Sequence, residues 1–240
     1  MKKNLIAIAC FILPTFICRY LLWMFRIKTH VIGKGTRIGF SFVLCDEMKL
    51  GTNVKIGHLN FIHIKRLDLG KSTKILHLNV IKGPISVCFV DGAWIHSQNK
   101  ISGPVLDFER EQAFVLGKDS IVMMKCLFDI TSSIKIGKNT TIGGAGVQMW
   151  THAFYVGRKK RARVDGGIRI GDNCYIGAYA VVCSGCSIAD STSIGANATV
   201  SKSISVPGLY VSQPLRYIEF DADKSISNLT KEVSPGIFEK

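Results

Sequence analysis

The sequence predicts an all-β fold, a parallel β-helix built from six-residue repeats. An aliphatic residue recurs at a spacing of six over most of the chain, and a Gly or another small residue often follows it. A period of six fits neither the 3.6 residues of an amphipathic helix turn nor the simple alternation of a strand. The chain has 240 residues, of which 47% are hydrophobic, so it is long enough to bury a core along such a coil.

The repeat assigns one aliphatic side chain to the interior for each six-residue unit. Three units make the three sides of one coil, and a small residue beside the aliphatic one lets the chain turn the corner. The interior positions that we assign from the pattern are Ile32, Ile38, Leu44, Leu50, Ile56 and Ile62, then Leu69, Ile75, Ile81 and Val87 after a one-residue slip, then Ile136 and Ile142, and finally Ile170, Ile176, Val182, Ile188, Ile194, Val200 and Val206.

The N-terminal 29 residues carry no such repeat. Residues 5–18 are apolar or small and include Pro14, and Arg19 separates them from a second apolar run at 20–25. A simple span needs about 20 apolar residues, so a re-entrant or interfacial helical segment fits better than a spanning helix. A cleaved signal peptide and a buried helix are the alternatives. We therefore expect a membrane-associated segment at 1–29, a β-helix domain at 30–206, and an exit strand and tail at 207–240.

The net charge of +14 predicts an anionic partner. No recognition helix, zinc finger or aromatic and basic sheet motif is present, so nucleic acid is not expected. Anionic lipid and phosphate-bearing ligands remain, and the chain is expected in the cytoplasm, peripheral or monotopic at the inner face of the cell membrane. The Cys183 and Cys186 pair fits the repeat as a corner residue and a small interior residue, which favours packing over a metal or redox role.

Residues 170–202, which begin Ile-Gly-Asp-Asn-Cys-Tyr-Ile-Gly-Ala-Tyr-Ala, resemble the hexapeptide-repeat acyltransferases, especially the maltose, galactoside and polysaccharide O-acetyltransferases. The similarity is highly specific over 134–218 and weaker over 31–133. It implies a left-handed parallel β-helix, a homotrimer, and acetyl-CoA bound as acyl donor in a groove between subunits. It implies no metal.

The repeat is interrupted at residues 150–167, where we expect an extruded loop. Long loops on regular scaffolds tend to carry function, and His152 stands at the entrance of this one. Acyl transfer to an alcohol needs a base near neutral pH, and imidazole suits that task. The resemblance implies this same role for a His at the loop mouth, so His152 is the predicted general base.

Other predicted site residues come from the loop, from the resemblance or from both. We expect the substrate, a glycan or a nucleotide- or lipid-linked sugar, to meet side chains in the loop and one coil earlier. The predicted substrate-binding residues are Lys125, Trp150, Arg158, Lys159 and Arg161. Anion capture by the basic run at 158–163 would serve a phosphate or diphosphate. The resemblance implies contacts to acetyl-CoA from Ala178, Ala196, Ser201, Lys202 and Arg216.

The sequence therefore predicts an acetyl-CoA-dependent O-acetyltransferase acting on a sugar hydroxyl of a cell-surface polysaccharide or its linked precursor. Transfer to an amine, as in the amino-sugar N-acetyltransferases, is the first alternative. A zinc hydrolyase of the γ-carbonic anhydrase type is a remote one, because it needs three His at subunit interfaces. The candidate ligands are His58, His63, His77 and His96, of which His77 and His96 are spaced to stack.

Overall fold

The computed structural model describes residues 15, 17, 20, 30–156, 158, 160–212, 232–234 and 237–238. Most of the predicted N-terminal apolar segment and of the C-terminal tail lies outside the described residues, as do Lys159 and Arg216. Within the described part of the chain, no helix is long and apolar enough to cross a membrane.

The chain winds as a parallel β-solenoid with three faces. Face I is a sheet to which each of nine coils contributes one short strand. Its strands are β2 (Arg37–Ile38), β4 (Lys55–Ile56), β6 (Lys74–Ile75), β8 (Trp94–Ile95), β11 (Ile121–Val122), β14 (Thr141–Ile142), β19 (Tyr175–Ile176), β22 (Ser193–Ile194) and β24 (Leu209–Tyr210). The strand β24 lies in the segment predicted as an exit strand and pairs with β22.

Faces II and III belong to one sheet, because β3 (Phe42–Leu50), β5 (Phe61–Leu69) and β7 (Val80–Phe89) run across the corner between them without a break. In the later coils, the face II strands are β9 (Lys100–Ser102), β12 (Leu127–Asp129), β15 (Gln148–Met149), β20 (Val181–Val182) and β23 (Thr199–Val200). The separate face III strands are β1 (His30–Ile32), β10 (Ala113–Leu116), β13 (Ile134–Ile136), β18 (Ile168–Ile170) and β21 (Ser187–Ile188). Two hairpins complete the elements, β16 (His152–Val156) with β17 (Arg161–Asp165), and β25 (Glu232–Ser234) with β26 (Ile237–Phe238).

The interior is the continuous ladder that the repeat predicts. Ile56, Ile75 and Ile95 stack on face I and are almost fully buried. Successive residues on a strand point to opposite sides, so strands such as β4 and β6 bury one side chain and expose the next. This confirms the predicted all-β, hexapeptide-repeat solenoid, and the architecture is consistent with a left-handed β-helix.

Two assigned ladder positions are wrong, both because a corner is shorter than the repeat. The turn after Ile38 is one residue short, so Val43 pairs with Ile62 inside the core while Leu44 is only half-buried. The last coil is two residues short, so Ile204 bridges to Ile188. Val206 consequently lies outside, with 63% of its surface exposed.

The corner between faces I and II holds a buried ladder of asparagines. Asn79 donates from Nδ2 to Oδ1 of Asn60 at 3.0 Å, and its own Oδ1 accepts from the backbone N–H of Asn99 at 2.9 Å. Asn60 donates in turn to Ser41, and Cys126 N–H closes the series on Asn99. Because these groups are shielded from water, each bond satisfies a polar atom that would otherwise be costly to bury.

We predict that Asn79→Ala lowers the free energy of unfolding by about 2 to 3 kcal/mol, because it leaves the buried Asn99 N–H without an acceptor. Denaturant unfolding followed by circular dichroism measures the change. Lys74→Ala, exposed on the same coil, is the matched control and should shift stability by less than about 0.5 kcal/mol. Equal effects of the two substitutions would show that the ladder does not stabilise the coils.

Candidate active site

Two insertions leave the solenoid at the same corner, where the chain passes from face II to face III. Coils are 18 residues long where Arg37 pairs with Lys55, but 27 where Trp94 pairs with Ile121 and 34 where Thr141 pairs with Tyr175. The extra residues lie at 103–112 and 150–167, between a face II strand and a face III strand in both cases. The II–III corner of the middle coils is therefore enlarged.

The second insertion, which the sequence predicts as an extruded loop, contains the hairpin of β16 and β17. The strands β16 and β17 pair antiparallel, with His152 opposite Asp165 and Phe154 opposite Arg163. Directly opposed residues project on the same side, so these four side chains share one face of the hairpin. The six-residue pattern could not reveal this pairing, because the hairpin is not part of the coil.

An ion pair joins the two insertions. Arg110, in the first insertion, donates to Oδ2 of Asp165 at 2.8 Å and to Oγ of Ser132 at 2.9 Å. Arg163 also contacts the Asp165 carboxylate, at 2.8 Å from Nε. The Asp165 side chain is only 8% exposed, so the pair lies where solvent screening is weak. These contacts hold the base of the hairpin against the corner.

His152 is held by Asp129, which ends β12 one coil earlier. The distance from Nδ1 of His152 to Oδ2 of Asp129 is 2.9 Å. The Thr131 hydroxyl donates to Oδ1 of Asp129 at 3.0 Å and lies 3.3 Å from Nδ1. Thr151 donates to the same carboxylate from its hydroxyl at 2.8 Å and from its backbone N–H at 3.1 Å. The imidazole is therefore fixed in orientation by groups on two neighbouring coils.

These contacts determine the protonation of the pair formed by Asp129 and His152, called the dyad below. Burial alone would raise the pKa of Asp129, but hydrogen bonds from His152, Thr151 and Thr131 and the attraction of the imidazole together lower it below its ordinary value. A carboxylate only accepts hydrogen bonds, so it places the proton of a neutral imidazole on Nδ1 and leaves the Nε2 lone pair available. No described residue forms a hydrogen bond with Nε2.

A cleft of about 450 Å³ lies beside the dyad. Its walls include His152 and Phe154 from the hairpin and the start of the first insertion. Three basic side chains, Lys82, Lys100 and Arg163, also line it. The arrangement combines a positioned base, an aromatic wall and a concentration of positive charge.

The predicted substrate-binding residues are only partly brought together. Trp150 lies beside the base, with its ring centroid 6.3 Å from that of His152 in an edge-to-face arrangement. The guanidinium carbon of Arg161 lies 5.0 Å from the Phe154 ring centroid, but Arg161 does not line the cleft. Arg158 is exposed at the hairpin tip. Lys125 lies in the turn before β12, at the opposite end of face II, and does not line the cleft.

The predicted acetyl-CoA residues fall on two corners of the solenoid. Ala178 and Ala196 follow face I strands on neighbouring coils, where Asn197 N–H donates to Ala178 O. Ser201 and Lys202 follow β23, so they share the II–III corner with His152 but lie two coils further on. One chain therefore does not gather these residues into a single site.

The other histidines and the cysteines occupy structural positions. His58 stacks on His77, with centroids 5.5 Å apart, whereas the register that pairs Ile75 with Ile95 places His77 opposite Ser97 and not opposite His96. Among the described residues, no group of three His, Cys, Asp or Glu side chains could hold a metal ion. Cys186 is buried in the interior, as its phase predicts, and burial raises the pKa of its thiol.

Sequence reasoning missed Asp129, Thr131, Lys82, Lys100 and Arg110. Asp129 carried a usable signal, since it is an acidic residue between Phe128 and Ile130, both of them buried. A carboxylate in such a position needs partners. The lysines gave no signal, because exposed lysines alternate with buried residues along many of these strands.

We predict that Asp129→Asn makes the free energy of unfolding less dependent on pH in the acid range. A carboxyl whose pKa is lowered by folding contributes stability above its unfolded pKa, and that contribution is lost as the pH falls through the folded value. The wild-type free energy of unfolding should therefore fall more steeply below about pH 4 than that of the variant. Urea unfolding across this range measures it, with Asp107→Asn as an exposed control. Parallel curves for wild type and Asp129→Asn would contradict the assignment.

Comparison with known proteins agrees with the repeat. The family model described as bacterial transferase hexapeptide (six repeats) matches residues 167–202, and no curated protein matches the chain. Among solved structures, a mutant of AntD, an N-acyltransferase from Bacillus cereus in complex with dTDP and coenzyme A, is similar at 12% identity with a TM-score of 0.41, covering 85% of this chain and 91% of that chain. The polySia-specific acetyltransferase NeuO is similar at 18% identity with a TM-score of 0.37, covering 83% of this chain and 94% of that chain.

Because these solved structures are so distant in sequence, neither their site residues nor their substrates are assigned to this chain. The sequence match is local, but it falls on the coils where the six-residue phase is most regular. It agrees with the parallel pairing that the structure shows for the same coils. The chain thus carries hexapeptide repeats that match the bacterial transferase model over residues 167–202, as the repeat in its sequence predicts.

Proposed function

We propose that this chain is an acetyl-CoA-dependent O-acetyltransferase acting on a sugar hydroxyl, with His152 as general base. The observation that carries the proposal is the orientation of His152, whose Nδ1 is bound to Asp129 while Nε2 has no partner among the described residues. A fixed imidazole with an available lone pair beside a cleft suits proton removal from an alcohol near neutral pH.

In the proposed reaction, Nε2 of His152 takes the proton of the sugar hydroxyl as its oxygen attacks the thioester carbonyl carbon. The tetrahedral intermediate collapses, the carbon–sulfur bond breaks, and the imidazolium returns the proton to the departing CoA thiolate. Asp129 stabilises the imidazolium and keeps the ring in one tautomer. The products are an acetyl ester and free CoA, so atoms and charge balance.

The donor and the assembly belong to the same proposal. We expect acetyl-CoA to lie along the later coils, with Ser201 and Lys202 near the phosphates on the His152 corner. Ala178 and Ala196 lie on another corner of the same chain. A homotrimer, in which the corner of one subunit faces that of the next, would bring the two sets together. The acceptor would be a cell-surface polysaccharide or its nucleotide- or lipid-linked precursor.

We predict that His152→Ala lowers kcat/KM for acetyl transfer by about 10²- to 10⁴-fold, because it removes the base while leaving the coils intact. Release of CoA thiol, followed with a disulfide reagent, measures turnover, and alkali-labile acetate in the product distinguishes an ester from an amide. His63→Ala, an exposed histidine outside the cleft, is the control and should retain activity. Near wild-type turnover by His152→Ala with an unchanged melting temperature would contradict the role.

The proposal also places the enzyme at an anionic membrane face. The support is the apolar sequence at 5–25 together with two features of the first coils. The Thr15 hydroxyl accepts a hydrogen bond from Ile38 N–H at 2.8 Å, so Thr15 lies beside the first coil. Arg37, Lys55 and Lys74 project outward from successive strands of face I there. Stacked cations at this spacing repel one another and favour an anionic surface.

We predict that deleting residues 1–28 releases the protein from vesicles that contain phosphatidylglycerol, and that Arg37→Gln/Lys55→Gln/Lys74→Gln weakens the binding of the full chain. Each basic residue near such a surface contributes about 1 kcal/mol. Vesicle co-sedimentation measures both, and phosphatidylcholine vesicles are the control for the charge effect. A full chain that stays in the supernatant with both kinds of vesicle would refute the membrane assignment.

A further inference from the structure

We propose that the cleft beside His152 binds an acidic group of the acceptor, through Lys82 and Lys100, so that the acceptor is an anionic sugar bearing a carboxylate or a phosphate. This rests on the proposed role of His152 and specifies the substrate class of the same site. Proton transfer by the Asp129–His152 pair needs neither lysine. Both lysines line the same cleft as His152.

The two lysines converge because of strand register. Lys100 on β9 pairs with Val80 on β7, and Lys82 on β7 pairs with Ser102 on β9. They are therefore diagonal neighbours, offset by two residues along adjacent strands, so both project from the same side of face II. Strand spacing and residue rise put their Cα atoms about 8 Å apart, which lets both ammonium groups reach one anionic group.

The carboxylates near the cleft are already engaged, whereas the lysines are not. Asp129 is held by His152 and Thr151, and Asp165 is paired with Arg110 and Arg163. Within the described ranges, no salt bridge to Lys82 or Lys100 is formed. The cleft therefore presents uncompensated positive charge close to the base, a setting that favours an anionic ligand.

The phosphates of CoA are the competing anion, and position along the solenoid argues against them. Lys82 and Lys100 lie on face II strands of coils that precede the His152 coil, whereas Ser201 and Lys202 lie on a coil that follows it. The thioester has to reach His152 from the proposed donor side. The acceptor then lies on the opposite side, toward the earlier coils. The strands β9 and β15 are separated by β12, which puts them about 10 Å apart, a distance that one sugar unit with its acidic substituent can bridge.

Binding tests this without requiring turnover. The probes are an oligogalacturonate, the same oligomer after its carboxyl groups have been reduced to alcohols, a hexose 1-phosphate, and CoA. Isothermal titration of the full chain should show the oligogalacturonate or the hexose phosphate binding about tenfold more tightly than the neutral oligomer, and the two anionic arms identify which acidic group is preferred.

Lys82→Gln/Lys100→Gln should abolish that preference while leaving CoA affinity within about twofold of wild type. Lys49→Gln/Lys118→Gln, which removes two exposed lysines far from the cleft, is the matched control and should bind all four probes as wild type does. Equal or absent binding of acidic and neutral probes by the wild type, or loss of CoA in place of the acidic probe, would overturn the inference. Failure of acetyl transfer in the presence of these binding results would overturn only the proposed function.

Discussion

The hydrogen bonding between successive coils is the constraint on which the rest of the structure depends. Each outward or inward residue pairs with its counterpart one coil away, as Ile75 does with Ile56 and Ile95. Sequence position is thereby converted into a place on one of three faces. The interior tolerates only aliphatic or small residues, and any added length must leave at a corner. The candidate active site occupies a corner that has been lengthened twice.

That corner shows how an otherwise uniform scaffold acquires a distinct site. The two insertions are separated by a coil without one, and it is this coil that supplies Asp129, Thr131 and Ser132. Arg110 from one insertion and Asp165 from the other meet above it. His152 reaches Asp129 because the hairpin begins on the coil that follows the one carrying that carboxylate. The chemical groups come from separate parts of the sequence, but the coils align them within hydrogen-bonding distance.

The repeat made the fold predictable from sequence, since one hydrophobic position in six identifies each side of the coil. His152 could also be predicted, because it stands where the repeat stops. The errors at Leu44 and Val206 arose where corners lose residues, which the pattern alone does not reveal. The partner of His152 and the cleft lysines could not be placed, because their proximity depends on which residues stack across coils of unequal length. The extruded segment at 150–167 was predicted, but its antiparallel pairing was not, because that pairing is local and independent of the six-residue repeat.

The most direct test of the central claim is mass spectrometry of the surface glycan from cells that express the wild-type chain, the His152→Ala variant, or neither. The account predicts acetyl esters on the glycan only in the wild-type cells, lost on mild alkali treatment, with equal amounts of wild-type and variant protein in the cells. Acetyl esters of undiminished abundance in the His152→Ala cells would contradict the assignment of His152 as the base.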